Sequence, residues 1–180
     1  MKLSQLCLLC GLGYALPNIY GFLNPKAFGA WLQKFPRHIP LGAVLMLAAT
    51  GWFEWILWNE RLADIAPWKH VLQMVFLFAG IASCFVLQDF LAVRGLSVLM
   101  MLVANTLLDA QRWHPSALKN VVTVWAYVLA VMGMWFVVSP WRLRDWIGWN
   151  TATESRLRTG SMVRAAFGIG IAVLGLTVYR

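Results

Sequence analysis

Six stretches of apolar residues recur along the chain with few charges among them, each about the 20 residues of helix needed to cross the hydrocarbon core of a bilayer. They predict membrane-spanning helices over residues 3–23, 39–58, 70–87, 90–108, 118–139 and 161–179. Pro17 falls where it can kink the last turns of the first helix. The second opens at Pro40 and closes in Trp52, Trp55 and Trp58, and the third turns at Gln88-Asp89 almost directly into the fourth as a tight hairpin. Between 151 and 161 the chain is polar and reads as a connector.

Two of the connections have a period of their own. Phe28, Trp31, Leu32 and Phe35 stand at i, i+3, i+4 and i+7, one face of a helix. Leu143, Trp146 and Ile147 repeat those offsets, with Arg142, Arg144 and Asp145 on the polar side. Pro25 suits a first turn, where no backbone N–H is needed, and Pro36 should stop the first of these segments. Short amphipathic helices lying in the interface are therefore expected at 25–35 and 140–148. The likeness of Pro25, Phe28, Trp31 and Leu32 to Pro140, Leu143, Trp146 and Ile147 suggests a helix–elbow–helix unit used twice. Two independent interfacial helices would produce the same match. An even number of spans separates the copies, so they would share an orientation, unlike the inverted repeats of transporters.

Composition closes off the soluble alternatives. Of 180 residues, 61% are hydrophobic and 12% charged, against roughly 25% charged in ordinary soluble domains. A soluble fold of this size could not hide so much apolar surface, and 11 Trp suit the water–lipid boundary. The expected fold is an all-α polytopic transmembrane bundle, one domain over 1–180. The first segment is read as a retained helix rather than a cleaved signal, because no exported soluble domain follows it. Cys7, Cys10 and Cys84 lie inside spans and read as inert small hydrophobes. Cys7-x-x-Cys10 has redox spacing but no thioredoxin-like context.

The net charge of +8 sits mostly in short connections, where basic residues set orientation and meet anionic lipid head groups. No dense basic run interleaved with aromatics suggests nucleic acid as a partner; the bilayer is the expected one. Lys26, Lys34, Arg37, Arg94, Arg142, Arg144, Arg156, Arg158 and Arg164 fall on one side, and Lys2, Arg61, Lys69, Arg112, Lys119 and Arg180 on the other. The positive-inside rule puts the first group in the cytoplasm, with both termini non-cytoplasmic in a bacterial inner membrane; Lys2 near the start favours the reverse. Trp31, Trp146, Arg37, Arg94, Arg142 and Arg144 are the expected interface anchors.

An ionisable residue inside a span is a functional candidate because burying it is costly. Glu54 and Arg94 invite pairing, but helix rise puts them on the order of 15 Å apart in height, and Arg94 is expected to snorkel near Asp89. Glu54 instead shares a level with Asn105 and Asp109, one turn apart on one helix, and with His70, His114, Arg112 and Arg61. Carboxylate plus imidazole could make a proton-accessible pocket or a metal site. An ordinary wet rim, with Glu54 bonded to Asn105, is the preferred reading. His38, His70 and His114 stand at span ends, unsuited to paired haem ligation, so neither cofactor nor metal is expected. No phosphate loop, HExxH, GxSxG or carboxylate dyad is present. Ala166 with Gly170, and Gly168 with Ala172, are small-xxx-small pairs that let helices approach closely in lipid. Gly11 and Gly13 of the first helix, or a second subunit, would receive them.

The segments Asp89-Phe90-Leu91-Ala92-Val93-Arg94-Gly95, Leu107-Leu108-Asp109-Ala110 and Ser139-Pro140-Trp141-Arg142-Leu143-Arg144-Asp145 resemble parts of uncharacterised small polytopic bacterial membrane proteins. The resemblance covers about half the chain and brings no activity with it. Three functions are weighed. An accessory or structural subunit of a larger inner-membrane complex suits the short loops, few buried polar groups and small-residue face. A small transporter or channel should carry polar residues through the midplane, yet they gather at the two faces. A lipid-modifying enzyme needs a reactive cluster at one interface, for which only the Glu54–Asn105–Asp109 region qualifies. The subunit is preferred, with protein partners or self-association expected.

Overall fold

The computed structural model describes residues 3–59, 68–112, 115–116 and 118–179. Its helices are α1 (Leu3–Leu23), α2 (Pro25–Lys34), α3 (Ile39–Asn59), α4 (Lys69–Val86), α5 (Leu91–Gln111), α6 (Lys119–Val138), α7 (Pro140–Thr151) and α8 (Glu154–Thr177), with a 3-10 turn over Phe35–Arg37. Six of them, α1, α3, α4, α5, α6 and α8, are long and apolar enough to cross a membrane. The protein is an all-α integral membrane protein. His114, Arg61, Lys2 and Arg180 lie outside the described residues.

Local chemistry explains the element ends. Pro25 and Pro140 open α2 and α7, using proline where its missing N–H costs nothing. Between α4 and α5, Phe90 takes a left-handed backbone with φ 57°, which reverses the chain within a few residues. The expected connector at 151–161 is mostly helix, since α8 begins at Glu154 instead of 161. Polarity there marks emergence from lipid, not a break: Glu, Arg and Leu are good helix formers, and Glu154 in the first turn complements the helix dipole.

The fold comprises two compact units, one of Met1–Lys34, Val103–Val131 and Arg144–Arg180, the other of Phe35–Leu102 and Met132–Leu143. In the first, α1 and α8 run antiparallel with their backbones in contact. A Cβ on Gly11 would lie 2.7 Å from the Ala172 nitrogen and the Gly168 oxygen, one on Gly168 2.8 Å from the Gly11 oxygen, and one on Gly175 2.9 Å from the Ser4 oxygen. Backbone atoms cannot swing aside as side chains do, so these positions must be glycine. The buried side of α8 includes Leu157, Ser161, Ala165, Gly168, Ala172 and Gly175, with fours and threes alternating from Ser161 onward, as in a coiled-coil seam. Cys7, Gly11, Ala15, Asn18 and Gly21 face it from α1. Leu107, Val122, Ala126 and Ile171 complete the core. Tyr14, Trp125 and Phe167 meet edge-on with centroids 5.8–6.4 Å apart. Tyr179 donates its hydroxyl to the Leu118 carbonyl at 2.8 Å, fastening the end of α8 beside the start of α6.

In the second unit α3 is the hub. A Cβ on Gly42 would lie 2.6 Å from the Ala92 nitrogen and one on Gly95 2.8 Å from the Met46 nitrogen, so α3 and α5 run parallel. Against α4 it runs antiparallel: Thr50 fills the space at Gly80, Phe53 meets Phe76 at 4.9 Å, and Lys69 Nζ donates to the Trp58 carbonyl at 2.7 Å. Gly133 of α6 sits on the Ser97 carbonyl of α5. None of the described residues of α4 is buried.

The contrast between glycines gives a direct test. Gly13 has nothing within 4 Å of a built Cβ. Gly11→Ala should lower unfolding stability in detergent by about 1–3 kcal/mol through overpacking. Gly13→Ala should leave it unchanged or raise it by up to about 1 kcal/mol through helix propensity.

Candidate functional site

The register that closes the α1–α8 seam also places Arg164 of α8 beside Asn18 of α1. Arg164 lies ten residues beyond Glu154, about 15 Å along the helix axis, so it is not the flanking basic residue that its sequence position suggested. Side chains of a helix lean towards its N-terminus, and the Arg164 guanidinium does so: a Cβ on Gly160 would be 3.2 Å from its Nη2. Nε donates to Asn18 Oδ1 at 3.0 Å and Nη1 to Asn150 Oδ1 at 3.4 Å. The Trp146 ring lies under the guanidinium, 5.5 Å from Cζ, within cation–π range.

Both asparagines are held to receive it. Asn18 is 8% exposed and Asn150 6%. Each anchors its amide nitrogen to a carbonyl one turn back, Tyr14 at 2.8 Å and Trp146 at 3.0 Å, which turns its oxygen towards the arginine. These acceptors are neutral. The ion pairs among the described residues are Lys26–Glu154, Arg112–Asp109 and Arg144–Asp145; none neutralises Arg164. Next to it in the seam, the fully buried Ser161 hydroxyl has no hydrogen-bond partner among the described residues.

The same end of this unit gathers the amphipathic elements. Gln33 of α2 donates to Thr151 Oγ1 of α7 at 3.0 Å, and Lys26 pairs with Glu154 at 3.4 Å. An open cleft of about 300 Å³ lies here, lined by Lys26, Gly29, Gln33, Thr151, Glu154 and Leu157. Phe28 and Ile147 are buried, while Trp31, Trp146 and Trp149 remain exposed. Arg156 covers Trp149 at 4.7 Å and Arg158 covers Phe22 at 4.9 Å. Arg144 is exposed and paired with Asp145 at 2.9 Å; Arg37 and Arg142, which belong to the other unit, are also exposed.

The residues singled out in the sequence are distributed differently. Glu54 is half-buried, and its Oε1 has no hydrogen-bond partner among the described residues. Asn105 and Asp109 are exposed, and Asp109 pairs with Arg112 at 3.6 Å. His70 is exposed at an apolar groove along α4 that includes Val71, Met74 and Phe78. Among the described residues, no three His, Cys, Asp or Glu side chains gather as for a metal ion. The α3–α5 register sets Arg94 level with about residue 45 of α3, leaving Glu54 about 14 Å further along at helical rise. The Arg94 Nε is itself buried without a partner among the described residues. Gly168 and Ala172 are buried against α1, whereas Ala166 and Gly170 face outward.

From the sequence Arg164 reads as a loop charge, which hides the centre. The available signal was its position three residues after Ser161 on the small-residue seam, a place where a charge must meet a partner. No family model matches the chain, and no curated protein or solved structure matches it.

Two substitutions separate a built polar centre from incidental polarity. Asn18→Leu should destabilise the fold by about 1–3 kcal/mol, because the arginine loses a buried acceptor. Glu54→Met should instead stabilise it by about 1 kcal/mol, since a carboxylate oxygen without a partner is removed. Both are read from reversible unfolding in mixed micelles.

Proposed function

We propose that this integral membrane protein is an accessory or structural subunit of a larger membrane assembly, in a bacterial inner membrane with both termini non-cytoplasmic. The observation that carries the reading is the closure of the helix seams within each unit. Along α1–α8 the backbones touch at Gly11, Gly168 and Gly175, and in the other unit they touch at Gly42 and Gly95. Neither seam leaves space for a solute, and the polar groups of the first unit lie towards its ends, with Asn18, Asn150 and Arg164 at one and Asp109, Gln111, Arg112 and Thr123 at the other. A transporter of this kind would need polar groups through the midplane.

Outward surfaces support docking with other subunits. α4 is largely apolar beyond Gln73 with no described residue buried, and Phe78 and Phe85 are each 74% exposed. On α8, Ala166 and Gly170 offer a smooth outer face of the sort that admits a close helix neighbour in lipid. The elbows α2 and α7 carry the basic residues Lys34, Arg142 and Arg144, which favours a cytoplasmic position for that face.

Purification in mild detergent with mass measurement should recover the chain with stoichiometric partner subunits; recovery as a lone monomer would refute the proposal. Gly170→Leu should keep the wild-type unfolding midpoint while partner recovery falls severalfold. Gly168→Leu should lower both.

A further inference from the structure

We propose that Arg164 holds the phosphate of an anionic lipid head group at the α7–α8 corner. Four observations converge on it. The guanidinium is a permanent charge placed about a helical turn inside the start of the apolar part of α8, and among the described residues no carboxylate balances it. Its protein contacts are two neutral amide oxygens, at Nε and Nη1, leaving Nη2 for another acceptor. That nitrogen packs over Gly160, close enough that any side chain there would crowd it: a Cβ would be 3.2 Å from it and 3.5 Å from Asn150 Oδ1. Trp146 backs the charge from the elbow helix and is itself 43% exposed, as expected for a ring at head-group level.

The chemistry selects an anion with several oxygens. Arginine pairs with phosphate through parallel N–H···O bonds, and the buried asparagines hold the fork so that little side-chain freedom is lost on binding. A lipid phosphate is the source that suits the depth. It enters from the side within the membrane, and its acyl chains lie along apolar surface below. The exposed Arg142, Arg156 and Arg158 nearby in sequence attract anionic lipid generally, but Arg164 is the one fixed by buried partners.

The test uses the full chain in mixed micelles containing a neutral detergent, to which phosphatidylglycerol or phosphatidylcholine is added. Native mass spectrometry reads retained lipid, and thermal unfolding reads the midpoint. The wild type should retain phosphatidylglycerol in preference to phosphatidylcholine and gain in midpoint with it. Arg164→Gln should weaken that retention about tenfold, the loss of a charged hydrogen bond, and remove the anionic increment in midpoint. Arg158→Gln should keep both. Because Arg164→Gln also removes the bond to Asn18, Gly160→Val serves as the second variant: it crowds Nη2, and should lose lipid retention while remaining folded. Equal retention of the two lipids, or an anionic increment that persists in Arg164→Gln and Gly160→Val, overturns the proposal. So does an equal increment from millimolar inorganic phosphate in neutral micelles, which would make free phosphate the ligand.

Discussion

The contact of α1 with α8, backbone on backbone, is the constraint from which the rest of the first unit follows. Lipid tails are as apolar as leucine, so two greasy helices gain little by leaving lipid for one another; close packing has to supply the attraction. Glycine at 11, 168 and 175, with alanine at 15, 165 and 172, supplies it by letting the main chains touch. Once that register is set, the two ends of the sequence are joined. The end of α1 and the start of α8 then share one corner, and α2 and α7, far apart in the chain, meet there through Gln33 and Thr151.

Polar groups are handled by a simple economy inside the spans. Thr50, Ser83, Ser97 and Thr177 each donate a hydroxyl to the carbonyl four residues earlier, the usual way such side chains are satisfied in a helix. They ask nothing of a neighbouring helix. Arg164 differs because it cannot be satisfied within its own helix, so it draws acceptors from α1 and α7 together. Structure and chemistry are coupled at that point: the asparagine that completes the α1 seam also orients the charge. Glu54 and Arg94 show the opposite case, each with one buried polar atom that has no hydrogen-bond partner among the described residues.

The architecture was largely legible from hydropathy. Six long apolar helices and two amphipathic elbows can be read because lipid exposure imposes an almost continuous apolar run, and because Pro25 and Pro140 announce helix starts. What polarity could not show was the start of α8, where Glu154, Arg156 and Arg158 are charged and helical at once. Nor could it choose between the small-residue pairs of that helix. Ala166 and Gly170 are as small as Gly168 and Ala172, and a span apolar on all sides has no polar face to mark its outside. The alternating spacing from Ser161 through Ala165, Gly168, Ala172 and Gly175 was the better guide, since it keeps one stripe facing a partner over several turns.

The sequence alone determined that this is a membrane protein of six spans with interfacial elbows, because transfer into lipid depends on each segment's own composition and length. The tertiary structure decided which glycines are sealed and which are bare, and that Arg164 is a half-buried centre with Asn18 and Asn150 as its acceptors. Those outcomes depend on helix register. In lipid, register is set by the fit of small residues at a few points and not by the apolar pattern that writes the spans.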